Sequence, residues 1–344
     1  MNTDLYEDEE PIGVIEDGIR LVPTRMISRG GMGIVYEASM LGREGFAKRV
    51  AVKMLRKKWS DNRRFINLLV AEAKLVSNLV HENIVQMYLL GRLPDGRDYM
   101  VMEYVEGISL FELMLRHWEK RTRIPPPLGI HICSRVARGL GYAHAVRDES
   151  GAHIDIVHRD ICPSNILITT EGLPKLIDFG VAKARTMSII GDDWQLGKAG
   201  YMSPEQAKRK TVDHTSDIFA LGAVLFEVLC GRAMRDLSER GRNAKFAENP
   251  VPWHYLDGIV DSELKAILGG CLASDPAARY RDANDVAVAL EEYIYRDGYG
   301  PTIQTVEAHL RKEFPELYTY PRRPVALPQA DRQTRNWDSR EYDA

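Results

Sequence analysis

Two carboxylates and an amide close together in this chain could hold a hard divalent cation and take a proton from a hydroxyl. They are Asp160, within His158-Arg159-Asp160, then Asn165, and then Asp178, which opens Asp178-Phe179-Gly180. Oxygen donors of this kind suit Mg²⁺. A carboxylate beside them can accept the proton of an attacking hydroxyl and aim it. Phosphoryl transfer asks for little more, because its transition state is loose and catalysis rests on positioning and charge neutralisation. Either triplet could arise by chance. Both together, flanked by apolar strand-like runs (Ile154 to Val157, Ile166 to Ile168, Leu176-Ile177), seldom would.

A cation for such chemistry stands upstream. Lys53 closes the strand-like run Arg49-Val50-Ala51-Val52-Lys53, and a lysine at the end of a buried strand is costly unless its ammonium finds an anion. Before it lies the glycine-rich stretch Ile27-Ser28-Arg29-Gly30-Gly31-Met32-Gly33-Ile34-Val35-Tyr36. Glycines let the backbone close over phosphates with no Cβ in the way, and their N–H groups face anionic oxygens. A dinucleotide-binding turn would need a helix directly after the glycines. Ile34-Val35-Tyr36 reads instead as a returning strand, which excludes that alternative.

The elements that must position these groups fall into two blocks. From about Leu21 to Tyr104 the chain reads as short β-branched strands, with Val50-Ala51-Val52 and Tyr99 to Tyr104 the clearest. One helix interrupts them, Asn62 to Leu79, with Phe65, Leu68, Leu69, Leu75 and Leu79 at helical spacing. Helical patterns then dominate: Pro127 to Val146, Thr215 to Cys230, Ser262 to Leu272 and Asp282 to Tyr295. A last helix is predicted over Thr302 to Phe314, its stripe of Ile303, Val306, Leu310 and Phe314 expected to pack on the helical block. The class is α+β. Residues 1–19 form an acidic, irregular tail, and beyond Pro315 the Pro- and Arg-rich chain is expected to be poorly ordered.

Composition narrows the partners. An apolar fraction of 44% and a charged fraction of 28% are those of an ordinary globular protein. The net charge of −3 gives no overall basic field for nucleic acid or a membrane surface. Cys133, Cys162, Cys230 and Cys271 are far apart and form no CxxC pair, which argues against a zinc ribbon or disulfide framework and fits a reducing compartment. Cys133 and Cys230 sit in apolar helical patterns and read as core. The acidic start lacks the apolar stretch of a signal peptide, and no uncharged apolar run nears the roughly 18 residues of a membrane span. A cytoplasmic protein is expected.

These motifs resemble those of bacterial serine/threonine protein kinases of the eukaryotic type, over roughly residues 20–296. The resemblance implies a bilobal fold, with an antiparallel β-rich N-lobe (about 20–105) holding one helix and a mainly helical C-lobe (about 106–296). Residues 297–344 would form an extension with one short helix. It implies transfer of the γ-phosphate of Mg·ATP to serine or threonine hydroxyls of proteins, including its own in a transient homodimer, with Mn²⁺ as a substitute metal. The partners implied are protein substrates, with no nucleic acid and no membrane insertion. Lys53 would hold the α- and β-phosphates and pair with Glu72. Asp160 would orient the hydroxyl, and Asn165 and Asp178 would hold the metal. The glycine-rich stretch from Ile27 to Val35 (Ile27, Ser28, Arg29, Gly30, Gly31, Met32, Gly33, Ile34, Val35) would cover the nucleotide. Ala51, Met102 (the gatekeeper), Glu103, Val105 and Leu167 would line the adenine. Phe179 resembles the residue whose packing switches such enzymes, and His158 a packed structural residue. Tyr201-Met202-Ser203-Pro204-Glu205 looks like the end of an activation segment. Asp217 matches the acid that anchors the catalytic loop, and Arg279 the partner of Glu205.

The pattern departs in places. Ser28 replaces the first glycine of GxGxxG. Cys162 stands where the family has a lysine that contacts the γ-phosphate, a loss that typically costs ~10²–10³ in rate unless another cation compensates. Lys198 stands where a threonine is usual and is one candidate for that compensation; a solvent-facing loop lysine is the other reading. Arg159 would bind a loop phosphate. The usual phosphosite falls near Trp194, leaving Thr186 or Ser188 as phosphosites, or Asp192 or Asp193 as permanent partners. A nucleotide-binding pseudokinase that works as a scaffold is the alternative function. A small-molecule phosphotransferase fits poorly with Ser203-Pro204-Glu205 and Asp217.

Overall fold

In the computed structural model, residues 20–30, 33–93, 95–179, 199–235 and 250–319 are described. Gly31, Met32, Thr186, Ser188, Asp192, Asp193, Trp194 and Lys198 lie outside them, as do both terminal tails. The first lobe is a five-stranded antiparallel sheet in the order β1-β2-β3-β5-β4: β1 Arg20–Arg29, β2 Gly33–Leu41, β3 Ala47–Leu55, β4 Met87–Arg92 and β5 Asp98–Glu103. Its two faces follow from the period of two. Val50, Val52, Met54, Tyr99 and Val101 build an apolar cluster on one side. The alternate positions Ala51 and Lys53 of β3, opposite Met102 and Met100 of β5, form the other, and Val35 of β2 lies opposite Lys53. So the strand alternation alone sets Val35, Ala51 and Met102 on the same face as Lys53.

Helix α1 (Arg63–Val76) packs on that second face. Asn62 caps it, its side chain accepting from Arg64 N. Phe65, Leu68, Leu69, Ala73 and Val76 bury its apolar stripe against Leu55, Met100 and Phe179. The helical lobe holds α2 (Leu110–Glu119), α3 (Pro126–His144), α4 (Pro204–Ala207), α5 (Thr215–Cys230), α6 (Ser262–Leu272), α7 (Ala283–Tyr295) and α8 (Ile303–Glu313). A three-stranded sheet of β6 (Gly107–Ser109), β7 (Ile166–Thr169) and β8 (Pro174–Leu176) covers its upper end. Helix α5 is apolar on all sides and buried along almost its whole length, the mark of a central core helix. Cys133 and Cys230 are core residues here, as read from the sequence. Val306, Leu310 and Phe314 bury α8 in the same cluster, each such side chain contributing roughly 1.5–3 kcal/mol.

The run Ile154 to Val157 is not a strand. It follows a turn closed by Asp148, and Ile154 N donates to Val146 O beside the isolated bridge of Arg147 with His153. Asp155 then takes φ 53°, which breaks the extended path, and Ile156 and Val157 are buried beyond it. Helix α2 is an element the periodicity reading passed over. Among the described residues no helix is long and apolar enough to cross a membrane.

Candidate active site

Lys53 projects from the middle of the sheet because Val35 and Met100 flank it in register. Its Nζ lies 2.8 Å from Glu72 Oε1 on α1 and 2.8 Å from Asp178 Oδ1. Burial on its own would push the ammonium's pKa down. The two carboxylates, Asp178 first, outweigh it and hold the pKa well above that of an ordinary lysine. Glu72 is itself buried, at 5% exposure, so each partner meets the other's need for a counter-charge. The lysine's ammonium is thus fixed in place between two acids from separate elements.

Asp178 adopts φ 57°, in the left-handed region that non-glycine residues seldom enter. The turn drives the next side chain, Phe179, into the cluster beneath α1, where it is 2% exposed and tilts against His158 at 4.6 Å between ring centres. His158 is fully buried. Its Nε2 donates to Ile177 O at 3.0 Å, and its Nδ1 accepts from Asp160 N at 3.3 Å. It ties the two motif segments together and is a packed structural residue, as expected.

The loop that carries Asp160 is held from below. Asp217, in the first turn of α5, accepts the backbone N–H of His158 through Oδ2 and of Arg159 through Oδ1, both at 2.7 Å. Its Oδ2 also accepts from His144 Nε2 at 2.9 Å, at the end of α3. Burial pushes the carboxyl's pKa up, but these donors, His144 foremost, pull it below the ordinary value, so Asp217 stays ionised at 1% exposure. Gln206 Nε2 donates to Arg159 O at 3.2 Å from the other side. Asn165, in the short turn Pro163–Asn165, donates through Nδ2 to Asp160 O at 2.8 Å and to the Asp160 carboxylate. Ile177 N in turn donates to Asn165 O at 3.0 Å, which sets the two candidate metal ligands on adjoining segments.

The remaining predicted residues fall around the sheet. Ile27, Ser28 and Arg29 end β1 and are exposed; Gly30 N donates to Gly33 O at 2.8 Å across the turn into β2. A Cβ on Gly33 would lie 2.8 Å from Met54 O, so only glycine lets the start of β2 approach β3 so closely. Ile34 is buried and Val35 half-buried. Glu103 N donates to Gln86 O, and the Glu103 carboxylate pairs with Lys175 at 2.9 Å, joining the strand that links the lobes to β8. Val105 is half-buried in the segment that follows, and Leu167 is half-buried on β7. Cys162 is 2% exposed with Sγ 3.4 Å from Ser164 Oγ, so this position takes a small side chain.

Glu205 and Arg279 meet as expected: Nη1 to Oε1 at 2.7 Å and Nη2 to Oε2 at 2.8 Å, a two-pronged pair buried beside α5. His144, Gln206 and Lys175 were missed. Each acts through a partner distant in sequence, and no local pattern marks it.

Residues 22–288 match the family model described as "Protein kinase domain". The chain is 35% identical over 300 residues to the tyrosine-protein kinase MasK of Myxococcus xanthus, covering 86% of this chain and 46% of that protein. It is 34% identical over 272 residues to the serine/threonine-protein kinase PknA of Corynebacterium glutamicum (77% and 54%) and 37% identical over 272 residues to PrkC of Bacillus subtilis (76% and 38%). It thus spans about half the length, or less, of these curated relatives. Among solved structures, the PknI kinase domain of Mycobacterium tuberculosis superposes with a TM-score of 0.60 at 24% identity, covering 83% of this chain and 99% of that one, a likeness of fold. Sheet, helical lobe and matched segment agree, and the chain belongs to the protein kinase domain family.

Proposed function

We propose that the protein is a serine/threonine protein kinase that moves the γ-phosphate of Mg·ATP to protein hydroxyls, its own included. The observation that carries this is Lys53 bonded at once to Glu72 and Asp178, while Asn165 holds Asp160 on the neighbouring segment. The donor chemistry fits Mg²⁺: Asp178 offers carboxylate oxygens, and Asn165 turns its amide nitrogen to Asp160, so its oxygen is the atom for a hard cation. Held by Asp178 and Asn165, Mg²⁺ would supply positive charge against the charge that develops on the transferred phosphate. The protein's own part is positional. Lys53 grips the phosphates, Glu72 fixes Lys53, and Asp160 accepts the hydroxyl proton and aims the oxygen. Val35, Ala51, Met102 and Leu167 offer apolar contact to a purine.

The catalytic unit is taken as residues 20–296, with 1–19 a tail and 297–344 an extension whose helix α8 braces the helical lobe. The burial of Val306, Leu310 and Phe314 in that lobe's core supports the brace. A reducing, cytoplasmic setting is supported by four buried free thiols, of which burial pushes Cys271 up to about 12. The names of PknA and PrkC favour serine or threonine as acceptor, and that of MasK favours tyrosine.

Incubation with γ-labelled ATP and Mg²⁺, followed by phosphoamino-acid analysis, tests the reading. Label on serine or threonine is expected from the unaltered chain and not from Asp160→Asn or Asp178→Asn. Saturable ATP binding with no label on the protein or on a generic acceptor would overturn catalysis. Label on tyrosine alone would overturn the acceptor assignment.

A further inference from the structure

Far from these residues in sequence, α2 and α8 bring three metal-ligating side chains to one point. His117 on α2 and His309 on α8 face each other with Nε2 atoms 2.9 Å apart and rings parallel. Glu313, one helical turn after His309 and so on the same face, adds a carboxylate, and one ligand atom from each of the three lies within 4.8 Å of the others. We propose that His117 Nε2, His309 Nε2 and a Glu313 carboxylate oxygen form a binding site for a borderline divalent cation, Zn²⁺ first, that fastens the C-terminal helix to α2.

The ligand set is the two-imidazole, one-carboxylate combination that Zn²⁺ accepts with a water in fourth place. Zn–N bonds of about 2.0–2.1 Å at a tetrahedral angle put two nitrogens about 3.3 Å apart, a few tenths more than the two rings stand now. The orientation of His117 is already set. Thr122 Oγ1 lies 2.8 Å from His117 Nδ1 and donates to the His117 carbonyl at 3.5 Å, so the ring N–H points to Thr122 and Nε2 presents its lone pair to His309. An outer partner that fixes the tautomer in this way is the usual support of a metal-bound histidine. Lys120 Nζ sits 2.7 Å from Glu313 Oε2 and keeps the carboxylate ionised; being 47% exposed, it can stay on one oxygen or swing into solvent. His117 and Glu313 are buried and His309 half-buried, which leaves one open side for the ion and its water. Without a metal, His309 Nε2–H donates to His117. With one, the proton moves through solvent to His309 Nδ1, and both Nε2 atoms coordinate as neutral imidazoles.

The test uses the full, untagged chain with excess Mg²⁺ to occupy the Asp178 and Asn165 site. Zn²⁺ titration should show one bound equivalent and a rise of several degrees in the melting midpoint, and Co²⁺ should give the intense visible absorption of a tetrahedral site. All three signals should vanish in His309→Gln, which changes a half-exposed residue, and in Glu313→Gln, while circular dichroism of both variants stays native. No stoichiometric Zn²⁺ uptake, or uptake and Co²⁺ absorption unchanged in His309→Gln, would overturn the assignment.

Discussion

Asp217 holds the backbone of Arg159: its Oδ1 accepts the Arg159 N–H at 2.7 Å, and Arg159 sits at φ 63°. A non-glycine residue in that region costs roughly 1–3 kcal/mol and persists only where its surroundings enforce it. The enforcing group is one buried carboxylate that takes His158, Arg159 and His144 together. What it secures is the direction of the next side chain, Asp160. On the proposed function, the charge at the base of α5 would act on the reaction through geometry alone.

Asp217→Asn should therefore cut kcat while sparing nucleotide affinity. An amide keeps one acceptor but turns an NH2 toward a backbone N–H, leaving a buried donor unsatisfied at a cost of about 1–3 kcal/mol. A misplacement near 1 Å in Asp160 can lower the rate ~10²-fold. Steady-state kinetics should show kcat reduced by 10- to 100-fold, with KM for ATP within a few-fold, because the Lys53–Glu72 pair is untouched. An unchanged kcat would show that the loop holds its shape without Asp217.

Glu72→Gln probes the other anchor. It removes one of the two charges on Lys53 and keeps a hydrogen-bonding shape, so the fold should survive. Asp178 is then the stronger of the two acceptors by a full charge, and the ammonium should settle there rather than over the phosphates. A fall of ~10²-fold in kcat/KM for ATP is expected, in the range for a lost charge-stabilising contact. Kinetics at varied ATP, with melting curves as a control, decide it.

The residues proposed to carry chemistry could be read in the sequence because phosphoryl transfer would fix their types and order within short segments, and the structure joins Lys53 to Glu72 and Asp178 and Asn165 to Asp160. Lys53 was legible for a different reason: a cation closing a buried strand demands a partner, although the strand runs on to Leu55 in the structure. Helix α7 showed through its periodicity, and α5 as a long apolar run of helical length. What was hidden is what depends on distant contacts. Ile154 to Val157 has the composition of a strand, but Asp155 sits at φ 53°, in the left-handed region, so the run bends after one backbone hydrogen bond from Ile154 N to Val146 O. Helix α2 did carry a signal, the S-x-x-E box of Ser109 and Glu112, whose reciprocal hydrogen bonds the structure shows. His144 gives no hint at all, since its role exists only once α3 and α5 cross.

The Glu205–Arg279 pair should set the acid limit of the helical lobe. Burial alone would raise the Glu205 pKa, but the hydrogen bonds from Arg279 and Ser216 prevail and bring it to about 2, below its ordinary 4.5. A carboxylate with a depressed folded pKa contributes stability that is fully present above the unfolded value. That stability fades as pH falls from about 4.5 toward 2. The melting midpoint should thus slope downward in this window, and less steeply in Glu205→Gln. At neutral pH, Arg279→Ala strands the buried carboxylate and should cost about 3–5 kcal/mol. Chemical denaturation measures it directly.

Gly172 offers a test of how α8 is docked. It sits in the turn between β7 and β8 at φ 86°, and a Cβ there would lie 2.1 Å from Ile303 O and 2.7 Å from Glu307 N, the first turn of α8. Gly151 has nearly the same backbone, φ 83°, with nothing within 4 Å of such a Cβ. The two glycines separate conformational cost from collision. Gly151→Ala should lose only the roughly 1–2 kcal/mol of a left-handed alanine. Gly172→Ala adds a clash with backbone that cannot rotate aside, so the N-terminal turn of α8 must lift from the lobe. Hydrogen exchange should then accelerate across Ile303 to Leu310 in Gly172→Ala and stay native in Gly151→Ala. Phosphoryl transfer should remain within a few-fold in both, because Lys53, Asp160 and Asp178 are held by other contacts. Equal exchange in the two variants would mean that α8 does not depend on this contact.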